Sequence, residues 1–183
     1  MLAVAVLSAA SADAQQRTID PGKSVMTVHV YKAGILSAFG HDHEIAAPIA
    51  AGTADLAAPR VALSIRASAL RVNDSEVSDK DRAEIQKTML GPDVLDVERF
   101  PEIAFKSTAV EAVGAGAWKI TGDLTLHGQT RPVTLEVRDT NGHYIGTARF
   151  KQTGFGIKPV RVAGGAVRVK DEVQVKFDIQ LAP

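Results

Sequence analysis

Along most of this chain, hydrophobic and polar residues alternate with a period of two. Met26, Val28 and Val30 oppose Thr27, His29 and Tyr31, and Val61, Leu63 and Ile65 oppose Ala62, Ser64 and Arg66. The pattern returns in Trp118, Ile120, Gly122, Leu124 and Leu126 against Lys119, Thr121, Asp123, Thr125 and His127. Val133, Leu135 and Val137 likewise face away from Thr134, Glu136 and Arg138. It is clearest near the end, where Val173, Val175, Phe177, Ile179 and Leu181 alternate with Glu172, Gln174, Lys176, Asp178 and Gln180. Successive side chains of a strand point to opposite faces, so this pattern predicts antiparallel sheet with one apolar and one solvated face. Pro21-Gly22, His127-Gly128, Asn141-Gly142 and Gly164-Gly165 supply the turns between strands.

One segment breaks the alternation. Ser78 to Leu90 reads SDKDRAEIQKTML, with Ser78 as N-cap, Asp81 in an acidic first turn, and a short apolar stripe of Ile85, Met89 and Leu90. Gly91-Pro92 then stops the helix. About eight strands, each apolar on one face, must hide that face by closing into a barrel or pairing as two sheets. The expectation is an all-β antiparallel barrel of about eight strands, with one inserted helix capping an end. A barrel of that size is either filled by side chains or holds one small ligand. Small aliphatic residues at the inward positions leave room for an apolar cavity.

Composition narrows the function. The chain has 183 residues, 21 Lys+Arg, 21 Asp+Glu and no Cys. Zero net charge without a basic cluster argues against nucleic-acid binding. Lack of Cys excludes a disulfide scaffold, a thiolate nucleophile and Cys-ligated metal centres. Met1 to Ala10 are almost entirely small and apolar, and Ala12-Asp13-Ala14 follows as a small-x-small cleavage site that would end a segment of residues 1–14, although no Lys or Arg precedes the run. That run is too short to span a bilayer and is expected to be a signal peptide. Residues 15–183 then form a single exported domain, still nearly neutral.

Few residues carry potential chemistry. His41 and His43 flank Asp42, and on a strand residues two apart share a face. They could approach one metal, with His29 or His127 completing a site. Alternatively they are imidazoles at a cavity mouth, attracting a diphosphate or donating to a quinone oxygen, which is the preferred reading. His127-Gly128 is explained by a hairpin turn. No Ser sits in a nucleophile-elbow pattern and no glycine fingerprint opens a helix. Phe155 is expected either over the cavity or in the core.

Longer stretches carry a family resemblance. Val94 to Thr108 (VLDVERFPEIAFKST), Gly122 to Gly128 (GDLTLHG) followed by Pro132-Val133 and Leu135, Phe155-Gly156-Ile157, and the closing strand to Ile179 are similar to conserved blocks of the YceI-like family. Ile19-Asp20-Pro21 with Ser24-Val25 resembles its opening, with Lys23 where that family usually has His. Lys80 to Ile85 lacks the His of the family's mid-chain motif, and Ala38-Phe39-Gly40-His41-Asp42-His43 suggests a distinct subgroup. The resemblance implies a lipocalin-like barrel in the periplasm, a binding protein rather than an enzyme, holding a long polyisoprenoid such as a quinone or polyprenyl phosphate. The ligand would be met by Phe39, His41 and His43 near the mouth and by Trp118, Val133, Leu135, Phe155, Phe177 and Ile179 within. No cofactor or catalytic residue is expected. The expected partners are the lipid itself, transient contacts with a membrane or membrane proteins, and a second copy in a homodimer.

Overall fold

The computed structural model describes residues 16–34, 42–56, 59–162 and 166–183. The strands are β1 (Gln16–Thr18), β2 (Val25–Ala33), β3 (His43–Ala46), β4 (Ala51–Asp55), β5 (Arg60–Arg66) and β6 (Arg71–Val72). Helix α1 (Asp79–Leu90) follows, then β7 (Glu102–Gly114), β8 (Ala117–Leu126), β9 (Gln129–Thr140), β10 (His143–Lys151), β11 (Arg161–Val162) and β12 (Val167–Gln180). They form one sheet in the order β1-β4-β5-β7-β8-β9-β10-β12-β2-β3-β6, with β11 beside β12. Every pairing is antiparallel.

The sheet curls until its two ends meet at a thin seam. β3 pairs with β2, and β4 pairs with β5. Between them, Ala47 N–H donates to the Met26 carbonyl and Ala50 N–H to the Ser64 carbonyl, each at 2.9 Å. One bent stretch of chain therefore bridges both flanks, and a second short junction joins β1 to the end of β12, where Asp20 N–H donates to the Gln180 carbonyl and Ala182 N–H to the Thr18 carbonyl, each at 2.8 Å. The expected count of about eight strands differs from the observed twelve for this reason. β3 and β4 act as one bent strand, and β1, β6 and β11 are pieces of two or three residues at the margins. Irregular registers in β7–β8 and β12–β2 add the local twist that a curled sheet needs.

The β8–β9 hairpin turns through His127 (φ 51°) and Gly128 (φ 69°), and the β9–β10 hairpin through Asn141 (φ 56°) and Gly142 (φ 84°). Two consecutive left-handed residues make the tight turn whose twist matches the strands it joins. The predicted turn at Gly164-Gly165 lies outside the described residues.

Helix α1 starts where its capping chemistry places it. Ser78 Oγ accepts from Asp81 N–H at 3.1 Å, and Gly91 ends the helix. Gln86 fixes it to the barrel: its Oε1 accepts from Val72 N–H at 2.8 Å and its Nε2 donates to the Leu70 carbonyl at 2.9 Å. β6 is the last strand of the sheet, so this side-chain amide takes the place of a neighbouring strand on its edge.

Buried residues fall into two clusters. One lies at the α1 end around Ile45, Leu70, Met89, Leu126 and Phe155; the other lies towards the opposite end around Ile19, Phe105, Ile120, Phe177 and Ile179. Met26, Leu63, Leu124, Leu135 and Val175 touch both clusters.

Candidate functional site

Those five shared residues point inward by the strand alternation, yet each is only half-buried. An inward aliphatic side chain stays accessible only if it faces empty space. A cavity of about 870 Å³ fills the barrel, its lining running from Met89 on α1 to Tyr144 near the start of β10. At about 30 Å³ for a water-sized group, that volume takes roughly thirty non-hydrogen atoms. Most of the lining is Val, Leu, Ile, Phe and Met, the apolar character typical of sites for hydrophobic ligands.

The expected wall is largely in place. Trp118, Val133, Leu135, Phe177 and Ile179 all line the cavity. Trp118 sits beside Tyr144, ring centroids 6.1 Å apart, at the end away from α1. Tyr144 was readable from the sequence, since Tyr144, Gly146, Ala148 and Phe150 alternate after the Asn141-Gly142 turn. Phe155 does not line the cavity. A 3-10 turn, Gln152–Phe155, tucks it into the core at 2% exposure, edge-on against Phe150 with centroids 5.3 Å apart. Phe150 is the aromatic that faces the lumen there.

Polar lining residues gather at the two ends. Lys32, His43, Gln152 and Arg168 share the α1 end with Asp81, Glu84 and Thr88 of the helix; Asp55, Arg60 and Asp139 lie at the other. Among the described residues, His43 is the one lining residue with an imidazole. Its Nδ1–H donates to Asp74 Oδ2 at 2.7 Å, while Asp74 Oδ1 accepts from Glu44 N–H at 2.7 Å. The Asp74 side chain is 4% exposed and that of His43 19%. Nothing in the sequence placed Asp74 beside His43: Asn73-Asp74-Ser75 reads as a turn, and the two residues lie 31 positions apart.

The remaining described histidines are engaged elsewhere. His127 Nδ1–H donates to the Phe155 carbonyl at 3.1 Å, and its ring lies edge-on to Phe100 at 4.7 Å. His29 stacks on Tyr31, centroids 6.4 Å apart, on the opposite face from cavity-lining Val28 and Val30. His143 donates to Asp178 at 3.0 Å across β10 and β12. Among the described residues no cluster of three His, Cys, Asp or Glu could hold a metal ion. The metal reading centred on His41 and His43 therefore gains no support. Phe39, His41 and the proposed signal segment lie outside the described residues.

Known proteins resemble this chain in both sequence and shape. UPF0312 proteins of Vibrio cholerae serotype O1 are 32% identical over 124 residues, covering 62% of this chain. The chain spans only 64% of the length of these relatives. A UPF0312 protein of Pseudomonas syringae pv. syringae is 40% identical over 88 residues, 43% of this chain and 46% of the relative. The crystal structure of Burkholderia cenocepacia BcnA superimposes with a TM-score of 0.62 at 20% identity, covering 90% of this chain and 99% of that one. That of the Campylobacter jejuni YCEI protein gives 0.52 at 13% identity, covering 76% and 81%. The structural likenesses establish the fold alone. The YceI-like domain matches residues 18–181, and the chain belongs to the YceI-like family, whose barrels are known for binding hydrophobic ligands.

Proposed function

We propose that this protein is a periplasmic carrier that shelters a long isoprenoid chain, of a quinone or a polyprenyl phosphate, inside its barrel. The observation that supports this most is the hollow interior: inward-pointing Leu124, Leu135 and Val175 remain half-buried around an 870 Å³ cavity. The driving force is transfer of apolar surface from water to the lumen, about 25 cal/mol per Å². A chain burying several hundred Å² gains on the order of 10 kcal/mol before ordering costs are subtracted. Polar groups at the ends leave a headgroup near water and select it. Loading and release involve transient contact with a membrane or a membrane protein. No bond need be made or broken, so the reading is that of a binding protein rather than an enzyme.

Chain length gives the test. Room for roughly thirty non-hydrogen atoms corresponds to about six five-carbon units. Displacement of a fluorescent apolar probe by all-trans prenols of increasing length should show affinity rising with each unit and levelling off near six. Affinity independent of length, or no displacement at any length, overturns the carrier reading.

A further inference from the structure

The exposed hydrophobic side chains of this barrel gather at one end. Among the described residues, the large hydrophobics left exposed are Val25, Leu56, Val113 and Ile145, at 46–63%. Each stands within two residues of a strand end away from α1. Val25 opens β2, Leu56 follows β4, Val113 precedes the last residue of β7, and Ile145 is the third of β10. The register puts them at one level: Val25, Asp178, Ile145, Arg138, Ala117 and Gly114 are successive cross-strand partners, and Val113 adjoins that row. Val25 and Ile145 alternate with cavity-lining Met26 and Tyr144, so they project outward.

Strands spread around the barrel thus carry an apolar collar at this end. Leu56 belongs to two surfaces, lining the cavity while 46% exposed, so the apolar lining reaches the outside within the collar. Charges of both signs separate the apolar residues: Asp178 and Arg138 in the row itself, Lys119 opposite Glu136 beside it, and Asp55 opposite Arg60 next to Leu56. Aliphatic side chains set one to a strand make no continuous patch for a protein partner to cover. A fluid bilayer receives them singly and needs no matching shape. Resting on the carrier reading above, we infer that this end docks on a phospholipid bilayer, inserting Val25, Leu56, Val113 and Ile145 below the headgroups, so that a prenyl chain passes between bilayer and lumen without crossing water. The four side chains hold at most about fourteen carbons, as many as a myristoyl chain, whose binding alone is marginal and reversible at about 10⁴ M⁻¹. A carrier that must leave the membrane loaded needs contact no stronger than that.

Flotation with phosphatidylcholine vesicles at about 1 mM lipid reads the docking. Wild-type protein should float with the vesicles, and salt at about 0.5 M should not release it, because screening acts on charge and not on apolar insertion. Val113→Asp with Ile145→Asp should lower the bound-to-free ratio more than about tenfold. Neither residue lines the cavity, so farnesol binding in vesicle-free solution should be unchanged. Val25→Asp, on another strand, should act in the same direction. Lys80→Asp, at an exposed position of α1, makes the same change in net charge as the double variant but at the opposite end, and should float like wild type. Wild-type protein that does not float, flotation abolished by salt, variants at the collar that float undiminished, or an equal loss in Lys80→Asp overturns bilayer docking at this end. Each of those results leaves the carrier reading standing as long as farnesol binds in solution. Failure of the wild type to bind farnesol overturns the carrier reading itself.

Discussion

Gly146 of β10 and Phe177 of β12 are direct partners across the sheet, and the phenylalanine ring lies over the glycine. A Cβ built on Gly146 would stand 2.7 Å from Phe177 Cε2. The same device recurs on the other side of the barrel, where a Cβ on Gly122 would stand 2.7 Å from Cε2 of Phe105. Each ring lies flat along the wall because its neighbour lacks a side chain, so two large residues close one cluster without blocking the lumen.

Gly146→Ala should therefore push the Phe177 ring inward and cost about 1–3 kcal/mol, as overpacking does. Urea denaturation measures this as a lower midpoint with unchanged slope. Phe177→Leu in the same background should restore part of the loss. An alanine variant as stable as wild type would show that the ring has somewhere else to go.

Filling the lumen separates packing from binding. Val175 is half-buried in the middle of the wall, so Val175→Trp should be accepted with little loss of stability. The indole displaces several carbons of any bound chain, each worth about 0.8 kcal/mol, and should weaken prenol binding more than about tenfold. If instead the variant loses several kcal/mol of stability, the interior is already full.

Gln86 holds α1 on the barrel. Gln86→Leu leaves Val72 N–H without its partner, while the Leu70 carbonyl keeps the Arg71 guanidinium, at about 1–3 kcal/mol for the orphaned buried amide. Hydrogen exchange of the Val72 amide should accelerate markedly. Unchanged protection at Val72 would mean that the helix is not anchored through this side chain.

The β8–β9 hairpin depends on Gly128. Its φ of 69° disfavours any side chain, and a Cβ there would lie 2.9 Å from Phe100 Cδ1. Gly128→Ala should destabilise by about 1–3 kcal/mol and lower the thermal midpoint. His127→Gln, which leaves the glycine intact, should cost less. The opposite order would shift the weight from the turn to the imidazole.

Much of the fold was legible because a strand writes its orientation into alternate residues. Trp118, Leu135 and Val175 could each be assigned to the inner face from their neighbours alone, and Ser78, Asp81 and Gly91 marked the helix ends through local hydrogen bonding. What stayed hidden depends on distant parts of the chain meeting. Asp74 reaches His43 only because β3 and β6 pair, and two-residue β6 has no periodicity to read. Gln86 looks like an ordinary helix-surface residue until its helix lies against a sheet edge. Phe155 was misplaced over the lumen as one alternative because its 3-10 turn follows neither helical nor strand spacing. Whether the barrel is hollow was equally out of reach, since Leu and Val at inward positions fit a filled core and an empty one alike.

Native mass spectrometry of the protein, before and after incubation with a prenol of about six units, reads the hollow interior most directly. One prenol per chain, released by organic solvent and lost in Val175→Trp, is the predicted outcome. A mass equal to the bare polypeptide throughout would mean that the lumen admits no chain.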